Sequence, residues 1–360
     1  AGVVSKWTGI PAQRLVEDEM AKLRELEERL SARVVGQDEA LLLVGGVQPR
    51  LVVGHLAHQA DPPRGLGVDA LGVVGHVLAQ DFQDYELIVV DDGSTDDTRE
   101  ILDTYGRDII VLHQTNKGVS AARNQGIAQA GGQLLAFLDS DDIWLPRKLS
   151  QQVDFFKLHP DAVINQTEEI WIRNGVRVNP KDRHRKPSGM IFERSLGLCL
   201  VSPSAVMIKK QLFDAVGVFD ENLPACEDYD LWLRIGCHFP VHLIDTPLII
   251  KRGGHEDQLS RAPRLDRFRI QSLKKIIESG QLTESQHRAA VCKLQDKCAI
   301  YAGGCRKRGR VVEAASYEAL AAKYQGTEDR CQMTEDRFEE WKMKRPFCPL
   351  FSVLCPLGYR

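Results

Sequence analysis

A short acidic run follows an apolar, strand-like segment in "FLDSDDIWLP", residues 137–146. Asp139 and Asp141 are one residue apart just past the predicted strand end, a spacing suited to a hard divalent cation that also holds a substrate diphosphate. A calcium loop of the EF-hand type beginning at Asp139 is excluded because it needs glycine at its sixth position, where Trp144 stands. The alternative is a solvated acidic turn that stabilises the start of a helix beginning at Pro146. These residues alone leave both interpretations open.

Two further carboxylates, Asp91 and Asp92, end the apolar run "YELIVV", residues 85–90. A phosphatase-type DxDGS motif is excluded because Val90 stands where its first aspartate belongs. Open α/β sheets bind ligands at the carboxyl ends of their strands. We therefore expect both acidic clusters to lie at the same edge of one sheet.

A third acidic pair, Glu227 and Asp228, begins a predicted helix in "CEDYDLWLRIG", residues 226–236. A carboxylate at a helix start stabilises the positive end of the helix dipole. The same position is rigid enough for a general base. Both roles fit the pattern.

Alternating strand and helix signals from Leu78 onward predict the sheet that positions these carboxylates. Apolar runs of strand length are "YELIVV", "IIVLHQ" and "QLLAFL", whereas "TREILDTYG" and "AARNQGIAQA" indicate helices, the second of them capped by Ser120. The turn signal Asn174-Gly175 predicts a hairpin. The predicted fold class is α/β, with a mostly parallel sheet flanked by helices.

Composition limits the classes of partner and the location. The 360 residues carry 47 Lys and Arg against 50 Asp and Glu, and this near balance gives no global field that would attract nucleic acid or an anionic membrane. No apolar run reaches the ~18 residues of a membrane span, and the first thirty residues lack the apolar core of a signal peptide. We expect a cytoplasmic protein with no transmembrane segment, for which peripheral membrane association stays open. The nine cysteines form no CxxC pair and are interpreted as reduced thiols.

Residues 78 to about 260 resemble the catalytic domain of the family-two, inverting, GT-A-type glycosyltransferases. The resemblance is carried by six motifs in order, "VVDDGSTDDT", "NKGVSAARNQGI", "FLDSDDIWLPRKL", "VGVFDENL", "CEDYDLWLR" and "GGHEDQLS". It implies a GT-A-type, Rossmann-like fold. It also implies metal-assisted transfer of a sugar from a nucleotide-diphosphate donor to an acceptor hydroxyl, with inversion at the sugar.

The resemblance assigns roles on the donor side of the reaction. Asp91 and Asp92 would contact the uracil or ribose of a nucleotide-sugar, for which UDP is the expected nucleotide, and Arg123 would lie near that nucleotide. Asp139 and Asp141 would hold Mg²⁺ or Mn²⁺, and Asp139 would thereby lie against the donor. This pair corresponds to the DxD motif of the family.

The resemblance also assigns roles to residues on the acceptor side of the reaction. Asp228 would take the proton from the acceptor hydroxyl, and Glu227 would support it. His255 matches a loop histidine that can approach the diphosphate or the metal. The acceptor is a saccharide, a lipid-linked molecule or a protein, consistent with a role in polysaccharide biosynthesis.

The first forty residues resemble a different family. "VVSKWTGIP", "LEERL" and "VVGQDEA" occur in this order in the stretch that enters the second ATPase module of Clp-type AAA+ disaggregases. The phosphate-binding loop GxxxxGK(S/T) that should follow is replaced by "LLLVGGVQPRLVVGHLAHQADPPRG", so the sequence does not support ATPase activity. We expect a helical arm over residues 1–40.

Residues 41–77 depart from the glycosyltransferase pattern, because the family's first strand, of the type "VSVIIPTYNR", is missing there. We expect an irregular segment in its place. The alternative to an active transferase is therefore a chimeric or truncated, non-catalytic chain with a damaged nucleotide-sugar-binding fold. After the catalytic domain, assigned to 78–260, we expect a helical region over 261–325 and a disordered tail over 326–360.

Overall fold

The computed structural model describes residues 42–46, 50–54, 56–57, 70–254 and 264–324. The arm predicted over 1–40, the tail predicted over 326–360 and His255 lie outside the described residues.

Strands and helices alternate along the described part of the chain. The strands are β1 (Leu42–Gly46), β2 (Arg50–Gly54), β3 (Leu56–Ala57), β4 (Glu86–Asp92), β5 (Ile110–His113), β6 (Leu134–Leu138), β7 (Asp142–Trp144), β8 (Ile164–Arg173), β9 (Val176–Val178), β10 (Val206–Lys209) and β11 (His242–Gly253). The α-helices are α1 (Ala70–Leu78), α2 (Thr98–Asp103), α3 (Val119–Gln129), α4 (Lys148–Leu158), α5 (Phe192–Ser195), α6 (Leu212–Val216), α7 (Glu227–Gly236), α8 (Leu265–Glu278), α9 (Glu284–Lys307) and α10 (Val311–Lys323). Short 3₁₀ turns span Asp182–His184 and Pro203–Ala205.

The strands form two hydrogen-bonded sheets. The larger has the order β2-β1-β6-β10-β8-β11-β7, with β9 paired to β8, and the smaller has the order β3-β4-β5. The pairs β3/β4, β4/β5 and β8/β11 are parallel, and the other pairs are antiparallel. The α/β class and the helical C-terminal segment are confirmed, but the sheet is mixed rather than mostly parallel. The reason is that short returning strands such as β7, β9 and β10 add antiparallel ladders that alternating strand and helix signals do not predict.

The core of the molecule lies where helices cover the strands. All five residues of β6 are buried, as expected of a short apolar strand covered on both faces. Helix α3 packs on β4, and α4 packs on β8 and β11. This packing fixes the carboxyl end of β6, where the acidic run begins.

The segment expected to be irregular, residues 41–77, contains β1, β2, β3 and all of α1 except its last residue, Leu78. β1 pairs with β2 and with β6, both antiparallel. Its sequence "LLVGG" and that of β2, "RLVVG", include β-branched and aliphatic residues that favour strands despite lacking the family pattern. The expectation of an irregular segment is therefore wrong for these stretches.

Two local expectations also need correction. β4 and β6 belong to different hydrogen-bonded sheets, so the two acidic clusters do not lie on one ladder. Ser120 lies inside α3 rather than at its cap, because Gly118, with φ of 90°, precedes the first helical residue. The expected Asn174-Gly175 hairpin is present as the β8–β9 turn, with φ of 50° and 75° at these two residues.

Helices α8, α9 and α10 form a second core cluster against α7 and α5. A capping box at Thr283, formed with Gln286, starts α9. Cys292 in α9 is disulfide-bonded, so the expectation of reduced thiols is wrong there, because cysteine spacing alone carries no pairing information. The free cysteines among the described residues are Cys199, Cys226, Cys237, Cys298 and Cys305. None of the helices in the described ranges has the length and apolarity that crossing a membrane requires.

Candidate active site

A cleft of about 420 Å³ opens beside the carboxyl end of β6 and the start of α7. It gathers five of the residues singled out from the sequence, Arg123, Asp139, Asp141, Glu227 and Asp228. Three separate motifs supply them, so the fold brings together groups that are more than a hundred positions apart in the chain.

Arg123, on α3, joins two of these motifs. Its Nη2 atom donates to Oδ1 of Asp139 at 2.8 Å, and its Nη1 atom donates to Oε1 of Glu227 at 2.6 Å. The guanidinium also lies over the ring of Phe219, 5.0 Å from the centroid. Burial acts to lower the pKa of Arg123, but Asp139 and Glu227 together raise it above its ordinary value. Arg123 is therefore a permanent buried cation that sets the spacing between β6 and α7.

The acidic run after β6 forms a tight turn. The backbone N–H of Asp142 donates to the carbonyl of Asp139 at 3.0 Å, and the N–H of Asp139 donates to Oγ of Ser204 at 3.1 Å. Asp142 is buried in β7, and α4 begins only at Lys148. The helix expected to begin at Pro146 starts two residues later, and Asp142 belongs to a strand, so the interpretation as a helix-capping turn is wrong.

Negative charge accumulates in this turn. Burial raises the pKa of Asp142 well above its ordinary value, and the charge of Asp141 raises it further. Lys251, which faces Asp142 in the β11/β7 register, opposes this rise. Its Nζ donates to Oγ of Ser202 at 3.0 Å. Sequence reasoning missed Lys251, although the adjacent cations Lys251 and Arg252 at the end of the apolar run in "PLIIKRG" were a usable signal.

The side chains of this turn supply some, but not all, of the oxygen ligands that a hard cation needs. Carboxylate oxygens of Asp139 and Asp141 are the ligand type that Mg²⁺ and Mn²⁺ take. Within the described residues, no group of three or more His, Cys, Asp and Glu side chains is arranged to hold a metal ion. A site of this kind needs further oxygens from a substrate diphosphate, which is how Mg²⁺ is usually bound in nucleotide enzymes.

Glu227 and Asp228 begin α7, as predicted, but they lie in different environments. Glu227 is buried, and burial raises its pKa to about 7, against the lowering effect of Arg123 and with a further rise from Asp228. Asp228 is half-buried and lines the cleft. The thiol of Cys199 donates to Oδ2 of Asp228 at 3.3 Å. No sequence motif predicted this contact. Asp228 is thus the more accessible carboxylate of the pair.

Asp91 and Asp92, at the end of β4, do not line this cleft. Asp92 is fully buried, and its Oδ1 atom accepts hydrogen bonds from Nε2 of Gln114 at 2.6 Å and from the N–H of Lys117 at 2.8 Å. Its Oδ2 atom accepts from the N–H of Gly118 at 2.8 Å. Asp92 therefore holds the loop that leads into α3, the helix carrying the buried arginine.

Asp91 makes a separate set of contacts. One of its carboxylate oxygens lies 2.9 Å from Nδ1 of His113, and the other accepts from the N–H of Ser94 at 2.8 Å. His113, Gln114 and Lys117 line a second, more open cavity next to this strand end. Asp91 and Asp92 thus support the wall of a neighbouring cavity rather than the cleft itself.

Comparisons with known proteins agree with this architecture. Residues 71–217 match the model of Glycosyl transferase family 2. An uncharacterized glycosyltransferase of Rickettsia felis is 31% identical over 199 residues, which are 52% of this chain and 32% of that protein. The Escherichia coli UDP-Glc:alpha-D-GlcNAc-diphosphoundecaprenol beta-1,3-glucosyltransferase WfaP is 32% identical over 171 residues, 45% of this chain and 62% of that protein. The chain thus covers less than two thirds of the length of either curated relative.

A solved structure shares the fold. The structure of S. aureus TarS 1-349 in complex with UDP-GlcNAc superposes with a TM-score of 0.51 at 20% identity, covering 63% of this chain and 67% of that one. Residues 71–217 are thus similar to glycosyl transferase family 2, and the likeness to the solved structure shows that the chain shares the GT-A-type fold.

Proposed function

We propose that the chain is an inverting glycosyltransferase that moves a sugar from a nucleotide-diphosphate donor to an acceptor hydroxyl. The observation that carries the proposal is the double ion pair of Arg123, which places the acidic run after β6 beside the carboxylates at the start of α7 in one cleft. A donor-binding group and a candidate base are therefore held at a fixed separation. The family 2 match over residues 71–217 supports the same reaction class.

The proposed chemistry is a single displacement. Asp228 accepts the proton of the acceptor hydroxyl, and the acceptor oxygen forms a bond to the anomeric carbon on the face opposite the leaving group. The bond from that carbon to the diphosphate oxygen breaks, and the electron pair leaves with the nucleoside diphosphate. Cys199, by donating to Oδ2, keeps the Asp228 carboxylate aimed into the cleft.

Asp139 and Asp141 would hold Mg²⁺ or Mn²⁺ together with the donor diphosphate. Such a cation, when bound, neutralises the charge that develops on the leaving diphosphate. Arg123 keeps Asp139 in place and would itself supply a buried positive charge near the same phosphates. Asp91 and Asp92 would act on the nucleotide through the loop and cavity wall that they support.

Release of nucleoside diphosphate from UDP-sugars tests this function, measured with Mn²⁺ and after removal of the metal with a chelator. Metal-dependent release that increases when an acceptor is added is the expected result. Titration of UDP binding in the same buffers separates binding from turnover. UDP binding without any turnover on a panel of UDP-sugars and acceptors would contradict a transferase.

One observation favours the second candidate, a nucleotide-sugar-binding chain without catalysis. β4, which carries Asp91 and Asp92, forms a sheet separate from that of β6, which carries the acidic run. In this interpretation the unusual segment before α1 has separated the nucleotide side of the fold from the cleft. Metal-dependent UDP binding with no turnover is the result that this candidate predicts.

The domain assignment is part of the proposal. Residues 78–260 are the catalytic unit, 261–325 a helical region that packs on it, and 1–40 an arm without a catalytic role. Deleting residues 1–40 should leave transfer per folded molecule unchanged. Loss of transfer with an unaltered circular dichroism spectrum would show that the arm belongs to the enzyme.

A further inference from the structure

The β8–β9 hairpin and the turn after it are strongly basic. Between residues 173 and 186 the chain has six Arg or Lys residues and one acidic residue, Asp182, although the whole chain has a formal net charge of −3. Arg173, Lys181 and Arg183 are exposed. This charge is local and opposite in sign to that of the molecule.

Two of these cations, Arg173 and Arg183, lie against the Trp171 and His184 side chains, and the charge of Lys181 also acts on His184. Nε of Arg183 donates to Nε2 of His184 at 3.1 Å, and the His184 ring meets the ring of Trp171 edge-on at 5.3 Å. The guanidinium of Arg173 lies 5.3 Å from the centroid of the same Trp171 ring. After burial, the charges of Arg183, Arg173 and Lys181 are what lower the pKa of His184. We call Arg173, Lys181 and Arg183 the basic face.

An exposed apolar side chain adjoins this basic face. Val176 is 65% exposed and pairs with Arg173 across the hairpin, so both side chains lie on the same face of the two strands. A single exposed valine is ordinary on a protein surface, but the pairing of Val176 with Arg173 puts an apolar side chain next to a basic one here. A basic side chain beside an exposed apolar one suits the interface between water and lipid.

Another basic stretch in the chain, residues 306–310, is partly neutralised by carboxylates. Between residues 306 and 310, Arg306 pairs with Glu318 at 2.6 Å and Arg310 pairs with Glu313 at 2.9 Å. In the described part of the chain, by contrast, the residues of the basic face form no ion pair with a carboxylate. Their charge is therefore available to a partner.

We propose that the basic face, together with Val176, docks on an anionic lipid surface. Arg173 and His184 also line the cleft, so docking would place the mouth of the cleft at the lipid surface. If the proposed function holds, the acceptor is then a lipid-linked molecule presented from that surface. A soluble polyanion would use the same charges, but it would leave Val176 without a role.

Sedimentation of the full chain with lipid vesicles tests the docking directly. Vesicles of phosphatidylcholine with about 30% phosphatidylglycerol should bind the chain at about 0.1 M salt, pure phosphatidylcholine should not, and higher salt should release it. Because each Lys or Arg near an anionic membrane contributes roughly fivefold in affinity, Lys181→Gln with Arg183→Gln should weaken binding by roughly 25-fold. Val176→Ser should weaken it by a smaller factor.

The matched control removes the same charge elsewhere. Lys157→Gln with Arg288→Gln changes the net charge equally, at exposed positions paired with Asp154 and Glu284, and should leave vesicle binding near the parent value. Equal binding to both vesicle types, or an equal loss in the control variant, would overturn the proposal. Binding to a soluble polyanion in place of vesicles would assign the basic face to that partner.

Neither substituted position of the basic-face variant lines the cleft, so turnover with a water-soluble acceptor should stay at the parent level. Normal turnover with lost vesicle binding would support the docking and the enzyme together. Vesicle binding in a chain without turnover would support the docking and contradict the transferase. The experiment can therefore overturn one proposal without overturning the other.

Discussion

Nη1 of Arg123 lies 2.6 Å from Oε1 of Glu227, although the two residues are 104 positions apart in the chain. Both side chains are almost fully buried, at 4% and 8% exposure. The second arm of the same guanidinium binds Asp139, which is 25% exposed. Arg123 thus ties the buried carboxylate of α7 to a carboxylate that faces the cleft.

Replacing Arg123 by lysine should cost both stability and turnover. Lysine keeps the charge but cannot reach two carboxylates with a planar fork. We expect a loss of ~2 kcal/mol or more in the free energy of unfolding, since a buried carboxylate loses its partner. Turnover per folded molecule should fall at least tenfold. Urea unfolding and initial rates measure the two effects.

The matched control for this substitution is Arg288→Lys, at an exposed ion pair with Glu284. It should stay within about 0.5 kcal/mol of the parent, as exposed substitutions usually do. If Arg123→Lys is no more damaging than Arg288→Lys, the double ion pair does not organise the site.

The raised pKa of Glu227 makes stability depend on pH. Between its unfolded value near 4.5 and its folded value of about 7, the folded chain keeps a proton that the unfolded chain has lost. Stability from this proton is fully present below about pH 4.5 and is lost as the pH rises through 7. Glu227→Gln cannot titrate, so it isolates the effect.

The test compares the two proteins across this window. From pH 5 to 7, the unfolding free energy of the parent should fall relative to that of Glu227→Gln by an amount on the order of 1 to 3 kcal/mol, and the difference should be constant above pH 8. Denaturant unfolding at each pH gives the curve. The opposite result would be a parent whose unfolding free energy stays constant, or rises, relative to that of Glu227→Gln between pH 5 and 7. It would show that Glu227 is ionised throughout the window.

The metal assignment rests on Asp141, and its test is a binding measurement. Asp141→Asn removes one charged oxygen donor from the pair after β6, so Mn²⁺-dependent UDP binding should be lost, whereas metal-independent binding should change little. Asp103→Asn, at an exposed position on α2, is the control and should bind as the parent does. Isothermal titration with and without Mn²⁺ measures both, and undiminished metal-dependent affinity in Asp141→Asn would remove this residue from the site.

Local sequence patterns predicted the strand ends well. The apolar runs that form β4, β5 and β6 are short and bounded by polar residues, so the amino-acid sequence alone locates them in the chain. The head of α7 at Glu227 and the Asn174-Gly175 turn follow from equally local rules. These patterns were enough to locate Asp139, Asp141, Glu227 and Asp228, but not Glu169, which also lines the cleft.

What the sequence could not supply was pairing across long separations. No local pattern shows that Arg123 contacts a residue 104 positions later, or that Cys199 donates to the Asp228 carboxylate. The division of the strands into two sheets depends in the same way on which edges meet in the folded chain. Lys251 was missed because cations that end an apolar run, as Lys251 and Arg252 do, usually mark a strand end that faces water.

Asp228 is the residue for which a catalytic and a purely structural role differ most. Asp228→Asn keeps the size of the side chain and much of its capacity to accept a hydrogen bond at the start of α7, but the amide cannot take a proton from the acceptor. If Asp228 is the general base, turnover should fall by roughly 10²-fold or more, with donor affinity almost unchanged.

If Asp228 only stabilises the helix start, the same substitution should cost about 1 kcal/mol of stability and leave turnover per folded molecule near the parent value. Cys199→Ala separates orientation from chemistry, because it removes the thiol donor at 3.3 Å while leaving the carboxylate in place. It should reduce turnover less than Asp228→Asn does, and Cys199→Ser, which restores a donor, should recover most of the loss. Initial rates with saturating donor, together with urea unfolding of each variant, distinguish the two roles. Normal turnover in Asp228→Asn would exclude this carboxylate as the base and leave Glu227, buried against Arg123, as the next one to examine.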